Sequence, residues 1–371
     1  MSGKDQSVIS KESLMSTKPG KQIIKQALFK SKGYKLFNKY KEETENEFPN
    51  FAERFAQGLL HEIKSDTNPN LTQQAFGDEV GSTEIILNAS EIEPIKSKLI
   101  SLDVMQDRVN RILNSNFVKM TFPVFNGLFD AAANYSGRND PQLKQDMVEG
   151  HILAIDLSEP MDRIVDKDED LEFLDDYKLM NPYILKLARD KISKGGEQVL
   201  KEFEEGFKDA RIGQYLDEKL KSKPTQITEE EMTLSYKKYR AVMGTAGRNM
   251  ALVERPLAEI FYLGMARAAE GVGCGNEIED SIKNGFVKIP SWPLYYSLLA
   301  NDVKKGFEIT LEKSNLYLQD ARLTLELLPD EFSHKEFLEF LFLTVEHYNQ
   351  YWYNKLEKAN KWSEFESQLP K

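Results

Sequence analysis

Residues 197–220 read EQVLKEFEEGFKDARIGQYLDEKL, and this stretch determines the predicted fold class. Its apolar residues recur at spacings of three and four, so they fall near one face of a helix. They are Val199, Leu200, Phe203, Phe207, Ile212, Leu216 and Leu220. The same spacing returns in residues 233–243, 256–269, 292–307, 311–328 and 334–362, whereas strand signals are scarce. We therefore predict an all-α protein.

The domain organisation follows from the breaks between these segments. Short Gly, Pro and Asn interruptions are typical of antiparallel helices in a bundle. No long linker and no internal repeat divides the 371 residues. We predict one helical domain over residues 46–371 after a flexible Lys/Ser-rich tail over residues 1–45. A mitochondrial transit peptide is the alternative interpretation of the tail, although its first 41 residues contain no arginine.

Composition limits the classes of function. The chain has 60 acidic and 49 basic residues and a net charge of -11, which argues against nucleic acid as a partner. Cys274 is its single cysteine, so no disulfide can form within the chain and a reducing, cytoplasmic compartment is expected. No run of about 18 apolar residues occurs, so we predict no membrane span.

The first acidic cluster is Ser158-Glu159-Pro160-Met161-Asp162. On a helix, Glu159 and Asp162 are three residues apart and point the same way, so both carboxylates could bind one magnesium ion. The alternative is a helix start in which Ser158 is the N-cap and Pro160 occupies the first turn. Local sequence leaves both interpretations open.

The second cluster lies in residues 273–281, GCGNEIEDS. Asn276, Glu279 and Asp280 are spaced i, i+3 and i+4, and their amide and carboxylate oxygens suit magnesium. The alternative is the solvated acidic end of a helix. A third cluster, residues 166–176, ends in the pair Asp175-Asp176 and is predicted to be solvated surface.

Other chemistries have little support in the sequence. The four histidines and Cys274 lack the spacing of a zinc site, and no Gly-rich phosphate loop follows a strand. Metal-assisted chemistry on a phosphate ester is therefore the leading enzymatic hypothesis.

The order of the motifs resembles that of the trans-prenyltransferases, especially the farnesyl diphosphate synthases, over about residues 100–360. The motifs are the acidic pair near residue 158, Gly213-Gln214-Tyr215-Leu216-Asp217, Gly244-Thr245-Ala246, and the acidic stretch at residue 276. The resemblance implies a single isoprenoid-synthase-type helical bundle around a central cavity, and a homodimer. It also implies two facing Asp-Asp-x-x-Asp motifs, a cluster of three Mg²⁺ ions and a prenyl diphosphate substrate.

Residue roles are likewise implied by the resemblance. It assigns metal binding and catalysis to Glu159, Asp162, Asn276, Glu277 and Asp280. It assigns substrate binding to Lys119, Gln214, Asp217 and Thr245, with Lys283 and Lys288 as further candidates for the diphosphate.

The sequence departs from the family pattern in the acidic motifs and in the basic motifs of the second diphosphate site. Each acidic motif begins with a neutral residue and continues with glutamate. Phe122 stands where the family has the arginine of Gly-Lys-x-x-Arg, Gly244 replaces the lysine before Thr245, and the arginine pair after the first motif is absent. Loss of these cations weakens a second diphosphate site.

We therefore predict a magnesium-dependent terpene synthase derived from a prenyltransferase, of the kind found in insects. It would ionise farnesyl or geranyl diphosphate, and Asn276 agrees with the Asn that commonly opens the second metal motif of terpene synthases. One alternative is a catalytically inactive homologue that acts as a structural or regulatory subunit. Another is a chain-elongating synthase with unusual motifs.

Overall fold

A computed structural model describes residues 29–66, 71–74, 84–87, 89–113, 116–156, 173–251 and 255–370. In this part of the chain the helices are α1 (Lys32–Ser65), α2 (Ala89–Leu99), α3 (Leu102–Leu113), α4 (Asn116–Ser136), α5 (Pro141–Asp156), α6 (Leu174–Ile192), α7 (Glu197–Leu220), α8 (Glu229–Ser235), α9 (Lys237–Met250), α10 (Arg255–Asp280), α11 (Trp292–Ala300), α12 (Val303–Leu323), α13 (Lys335–Ala359) and α14 (Trp362–Glu366). A small antiparallel hairpin, β1 (Leu71–Gln74) and β2 (Glu84–Leu87), pairs Leu71 with Leu87. The all-α prediction is confirmed, with this hairpin as an addition.

Helix α1 begins earlier than the predicted domain boundary at residue 45. Ser31 caps it by accepting the backbone N–H of Tyr34 at 3.1 Å. Tyr40 is 1% exposed and its ring lies 5.6 Å from that of Phe337. Residues 32–45 therefore belong to the folded domain, because burial of Tyr40 fixes this part of the helix. Residues 1–28 of the predicted tail lie outside the described residues.

The first and last long helices, α1 and α13, pack against each other. A side chain at Gly33 would place its Cβ 2.1 Å from the carbonyl oxygen of Glu336, so the two backbones touch there. The hydroxyl of Tyr40 lies 3.1 Å from Nε2 of His334, just before α13 begins. Two segments separated by most of the chain therefore share one part of the core.

Helix α7 has the bounds that its apolar pattern predicts, residues 197–220. The predicted helix over residues 292–307 is instead divided into α11 and α12. Asn301 adopts a left-handed conformation (φ 50°), and the Asp302 side chain accepts the N–H of Lys305 at 2.9 Å, which caps α12. The predicted segment 233–243 is likewise divided at Tyr236, between α8 and α9.

The main hydrophobic core joins α1 to α7, α9, α10, α12 and α13. A second cluster lies around Phe286, Phe307 and Phe365. A third is aromatic and contains Tyr236 and Trp292 around Cys274. No helix in the described ranges is both long and apolar enough to cross a membrane.

Candidate functional site

Three helices meet at the end of the bundle that contains the second acidic motif. The C-terminal part of α7 crosses the start of α9 at Gly213, where a Cβ would lie 2.4 Å from the backbone nitrogen of Lys238. The start of α9 also contacts α10 at Gly273, where a Cβ would lie 2.8 Å from the Tyr239 ring. The two glycines thus permit the close helix contacts that bring Asp217, Lys238 and the acids of α10 to one end of the bundle.

Asp217, the acid of the Gly-Gln-x-x-Asp motif, forms an ion pair with Lys238. The Lys238 Nζ lies 2.7 Å from Oδ2 of Asp217, and the two side chains are 20% and 21% exposed. The ammonium also lies 5.3 Å from the centre of the Tyr239 ring. Gln214, one turn earlier on α7, is half-buried.

Glu277 is turned into the protein interior. Its side chain accepts the backbone N–H of Trp292, the first residue of α11, at 2.8 Å. The nearby Tyr236 hydroxyl donates to Sγ of Cys274 at 3.7 Å. Burial raises the pKa of Glu277 to about 8, against the opposing effect of the Trp292 N–H and of Tyr236. The carboxyl group is therefore mostly protonated at neutral pH, and it connects α10 to α11.

Asn276 and Glu279 face another helix, α13. The Tyr348 hydroxyl lies 2.7 Å from Oδ1 of Asn276 and also contacts the carboxylate of Glu279. Glu279 forms an ion pair with Lys283, which is exposed. These polar groups of Asn276 and Glu279 are therefore already bound by the protein.

Asp280, the last residue of α10, is half-buried. Burial and the neighbouring Glu279 raise its pKa to about 6, while Lys283 and Lys238 act in the opposite direction. Asp217 adds to the rise. Asp280 thus ends the part of α10 that packs, at Gly273, against Tyr239, the residue after Lys238.

The described residues of the second motif do not fit a three-ion magnesium cluster. Asn276 is bound by Tyr348 and Glu277 by Trp292, on different helices, so the two side chains do not converge. Within the described ranges, no group of three or more His, Cys, Asp or Glu side chains is placed to hold a metal ion. Glu159 and Asp162 lie outside the described residues, and their metal role stays a prediction.

The space beside Thr245 is small. A cavity of about 30 Å³ lies between α5, α7 and α9, and Phe203, Phe207 and Val242 contribute to its wall. Thr245 is buried and packs against Gly206. A Cβ added at Gly206 would lie 2.1 Å from Oγ1 of Thr245. A volume of this size holds about two water molecules. A prenyl chain can enter only if these side chains move.

His151, on the same cavity wall, is held by hydrogen bonds. Its Nδ1 lies 2.8 Å from the carbonyl oxygen of Met147, and its Nε2 lies 3.1 Å from Nδ2 of Asn249. Burial lowers the pKa of His151 to about 4, so the ring is neutral at physiological pH. This histidine joins α5 to α9.

The positions compared with the second diphosphate site have little basic character. Phe122 is 3% exposed, and its ring lies 5.4 Å from that of Phe51. Gly244 packs against Tyr262, whose ring carbon would be 2.9 Å from a Cβ. Lys119 and Lys288 are exposed. Their proposed binding roles stay predictions.

The prediction that the third acidic cluster is solvated is wrong for Asp176, which belongs to a buried ion pair. It is 2% exposed and accepts hydrogen bonds from Nε of Arg108 and Nζ of Lys98, both at 2.7 Å. The Arg108 guanidinium also lies 3.3 Å from the centre of the Phe173 ring. Asp175 remains at the surface with Lys178.

Sequence reasoning did not identify Lys238, Tyr236 or Tyr348 as parts of this region. Tyr236 and Lys238 belong to Tyr236-Lys237-Lys238-Tyr239, a dense polar and aromatic stretch at a helix start. Tyr348 is one of many aromatic residues in α13, and its contact with α10 depends on tertiary packing. The density of polar and aromatic residues in residues 236–239 could have marked that stretch as part of a site. Nothing in the local sequence around Tyr348 indicates its contact with α10.

Comparisons with known proteins support the fold. No family model matches the sequence, and no curated protein matches it. Among solved structures, a geranylgeranyl pyrophosphate synthase from Lactobacillus brevis has a TM-score of 0.55 at 12% identity, covering 69% of this chain and 90% of that one. A geranyltranstransferase from Methanosarcina mazei has a TM-score of 0.53 at 14% identity, covering 80% and 95%.

A third solved structure was determined with ligands. It is a polyprenyl synthase from Caulobacter crescentus complexed with calcium and isoprenyl diphosphate, with a TM-score of 0.52 at 12% identity, covering 65% of this chain and 94% of that one. At such identities the likeness shows the fold alone. The chain has, in divergent form, the all-helical fold of the trans-isoprenyl diphosphate synthases.

Proposed function

We propose that this chain is an enzyme that acts on a prenyl diphosphate at the end of the bundle formed by α7, α9 and α10. The observation that carries the proposal is the Asp217–Lys238 ion pair at the end of the bundle where Asp280 ends α10, in a fold found in prenyl synthases. One of these neighbours is complexed with isoprenyl diphosphate.

The proposed reaction breaks the carbon–oxygen bond of the prenyl diphosphate, and the electron pair leaves with the diphosphate. The allylic cation then either alkylates a second prenyl diphosphate and loses a proton, or rearranges within one molecule before losing a proton or capturing water. A preorganised cation next to the leaving group favours this step. Lys238, which is paired with Asp217 at this end of the bundle, is the proposed source of that charge.

The solved neighbours are prenyltransferases, so they support chain elongation at least as well as a terpene synthase. Buried Phe122 and packed Gly244 favour a single substrate, because neither position supplies a cation for a second diphosphate. Glu159 and Asp162 remain the proposed ligands of any Mg²⁺ ion.

The test is incubation of the full chain with the C10, C15 and C20 prenyl diphosphates and Mg²⁺, with and without labelled isopentenyl diphosphate. Released diphosphate supports the proposal, and a labelled product then identifies elongation. An Asp280→Asn variant should lose turnover while Glu259→Gln, on the exposed side of α10, retains it. No diphosphate release from any substrate would overturn the proposal.

A second candidate is a catalytically inactive structural or regulatory subunit. The engagement of Glu277 with Trp292 and the 30 Å³ cavity favour it. Co-purification with an active prenyltransferase, together with no thermal shift on addition of prenyl diphosphates, would support this candidate. Analytical ultracentrifugation of the chain alone would test the homodimer, which stays a proposal, as does the cytoplasmic or mitochondrial location.

A further inference from the structure

The most informative feature of the site is the position of the Lys238 ammonium. It lies 2.7 Å from the Asp217 carboxylate, and four-fifths of each side chain is buried. Gly213 holds the backbone of α7 against the backbone of Lys238, so the base of the side chain is fixed. The lysine therefore approaches the acids from within the helix bundle.

The carboxyl groups around Lys238 come from two helices. Asp217 lies on α7, and Glu277 and Asp280 lie on α10. The start of α9 lies against this part of α10, because a Cβ at Gly273 would lie 2.8 Å from the ring of Tyr239, the residue after Lys238. Glu277 accepts the backbone N–H of Trp292, whereas Asp280 ends α10.

The positive charge of Lys238 makes binding of a divalent cation to Asp217 unfavourable. Magnesium needs several oxygen ligands in near-octahedral geometry, and the nearest acid, Asp217, is already neutralised by a positive charge. A metal ion bound to Asp217 would have to displace the ammonium or accept repulsion from it. Lysine can serve in this position because its ammonium is a compact point charge with three hydrogen-bond donors.

We propose that the ammonium of Lys238 is a built-in cation that takes the place of a metal ion on the Asp217 and Asp280 side of the site. This side would then need no divalent ion, and any metal binding in the chain would depend on other residues.

The test measures binding of Mn²⁺ to the metal-free full chain through the electron paramagnetic resonance signal of the free ion. Lys238→Met should increase Mn²⁺ affinity at least tenfold by exposing Asp217 and Asp280, and adding Asp217→Asn should remove the increase. Lys237→Met is the matched control. Its side chain pairs with Asp209 at 3.5 Å on the surface, so this variant should bind Mn²⁺ like the wild type.

Two outcomes would overturn the inference. One is a folded Lys238→Met protein that binds Mn²⁺ no more tightly than the wild type. The other is wild-type Mn²⁺ binding that Asp217→Asn abolishes. If Lys238→Met does not fold by circular dichroism, Lys238→Gln gives the same comparison, and Lys238→Arg should show no gain because it keeps the charge. The measurement needs no turnover, so its failure is distinguishable from failure of the proposed function.

Discussion

Glu277 offers the sharpest distinction between a structural carboxyl group and a metal ligand. Substitution by alanine removes the acceptor for the backbone N–H of Trp292, whereas the Tyr236 hydroxyl keeps Sγ of Cys274, 3.7 Å away, as its acceptor. Trp292 is 0% exposed, so water does not easily replace the lost partner. Each buried donor left without a partner costs about 1–3 kcal/mol. We therefore expect Glu277→Ala to lower the free energy of unfolding by about 1–3 kcal/mol.

The assay is urea unfolding at pH 7 followed by circular dichroism. Glu277→Gln keeps the shape and an acceptor oxygen, and it replaces a mostly neutral group by a neutral one, so the loss should stay below about 1 kcal/mol. Glu259→Ala is the matched control on the same helix. Its partner is Arg248 and its side chain is 52% exposed, so a change within about 0.5 kcal/mol is expected.

The pH dependence gives a second measurement with a defined sign. The folded pKa of Glu277, about 8, is above the value of 4.5 for an exposed glutamate. Between these pH values the folded state holds a proton that the unfolded state has lost. Stability from this group is therefore present at low pH and falls as the pH rises, by up to about 1.4 kcal/mol per pH unit. Glu277→Gln should remove this dependence.

A stable Glu277→Ala protein that loses Mg²⁺ or Mn²⁺ binding would refute this account. It would show that the carboxylate serves a metal ion and that its contact with Trp292 is incidental. Equal stability losses in Glu277→Ala and Glu277→Gln, with no difference in pH dependence, would also contradict the protonated state inferred for the buried carboxyl group.

Three further substitutions test the packing around the site, each by urea unfolding. Arg108→Ala should lower the unfolding free energy by about 3 kcal/mol, because buried Asp176 loses its Nε partner; Lys178→Ala should change little. Phe122→Arg, which restores the family residue, should cost more than about 3 kcal/mol, since the side chain is 3% exposed; a stable variant would contradict the packing. Phe203→Ala should lower the free energy of unfolding by about 3–5 kcal/mol and enlarge the 30 Å³ cavity. Calorimetry should then detect tighter binding of a prenyl diphosphate. Unchanged affinity would count against this cavity as the place where the prenyl group binds.

Sequence periodicity predicted the helices best where an element has one buried face. The pattern of α7 gives its ends correctly because Gly196 (φ 107°) and the Lys223-Pro224 break limit the helix on both sides. A proline inside a helix usually ends or kinks it, but α6 continues through Asn181-Pro182. There the surrounding core outweighs the local cost of proline, since Asn181 is completely buried.

The candidate site was less predictable because it depends on contacts between helices. The stretch GCGNEIEDS could be either a metal site or an exposed helix end, and its spacing alone did not decide. In the structure α10 runs through the glycines to Asp280, and Gly275 packs where a Cβ would lie 1.8 Å from Oδ1 of Asn349. Asn276 and Glu277 then face different helices, a fact set by neighbours that lie far away in sequence.

The contact between α1 and α13 has a consequence for how the chain is made on the ribosome. The hydrogen bond of Tyr40 to His334 spans 294 residues. At a synthesis rate of about 5–20 residues per second, Tyr40 waits roughly 15–60 seconds for its partner. During that time the face of α1 that includes Tyr34, Phe37 and Tyr40 lacks the aromatic residues of α13 that later cover it. The nascent chain therefore presents an apolar helix surface for most of its synthesis, which is the kind of surface that chaperones recognise.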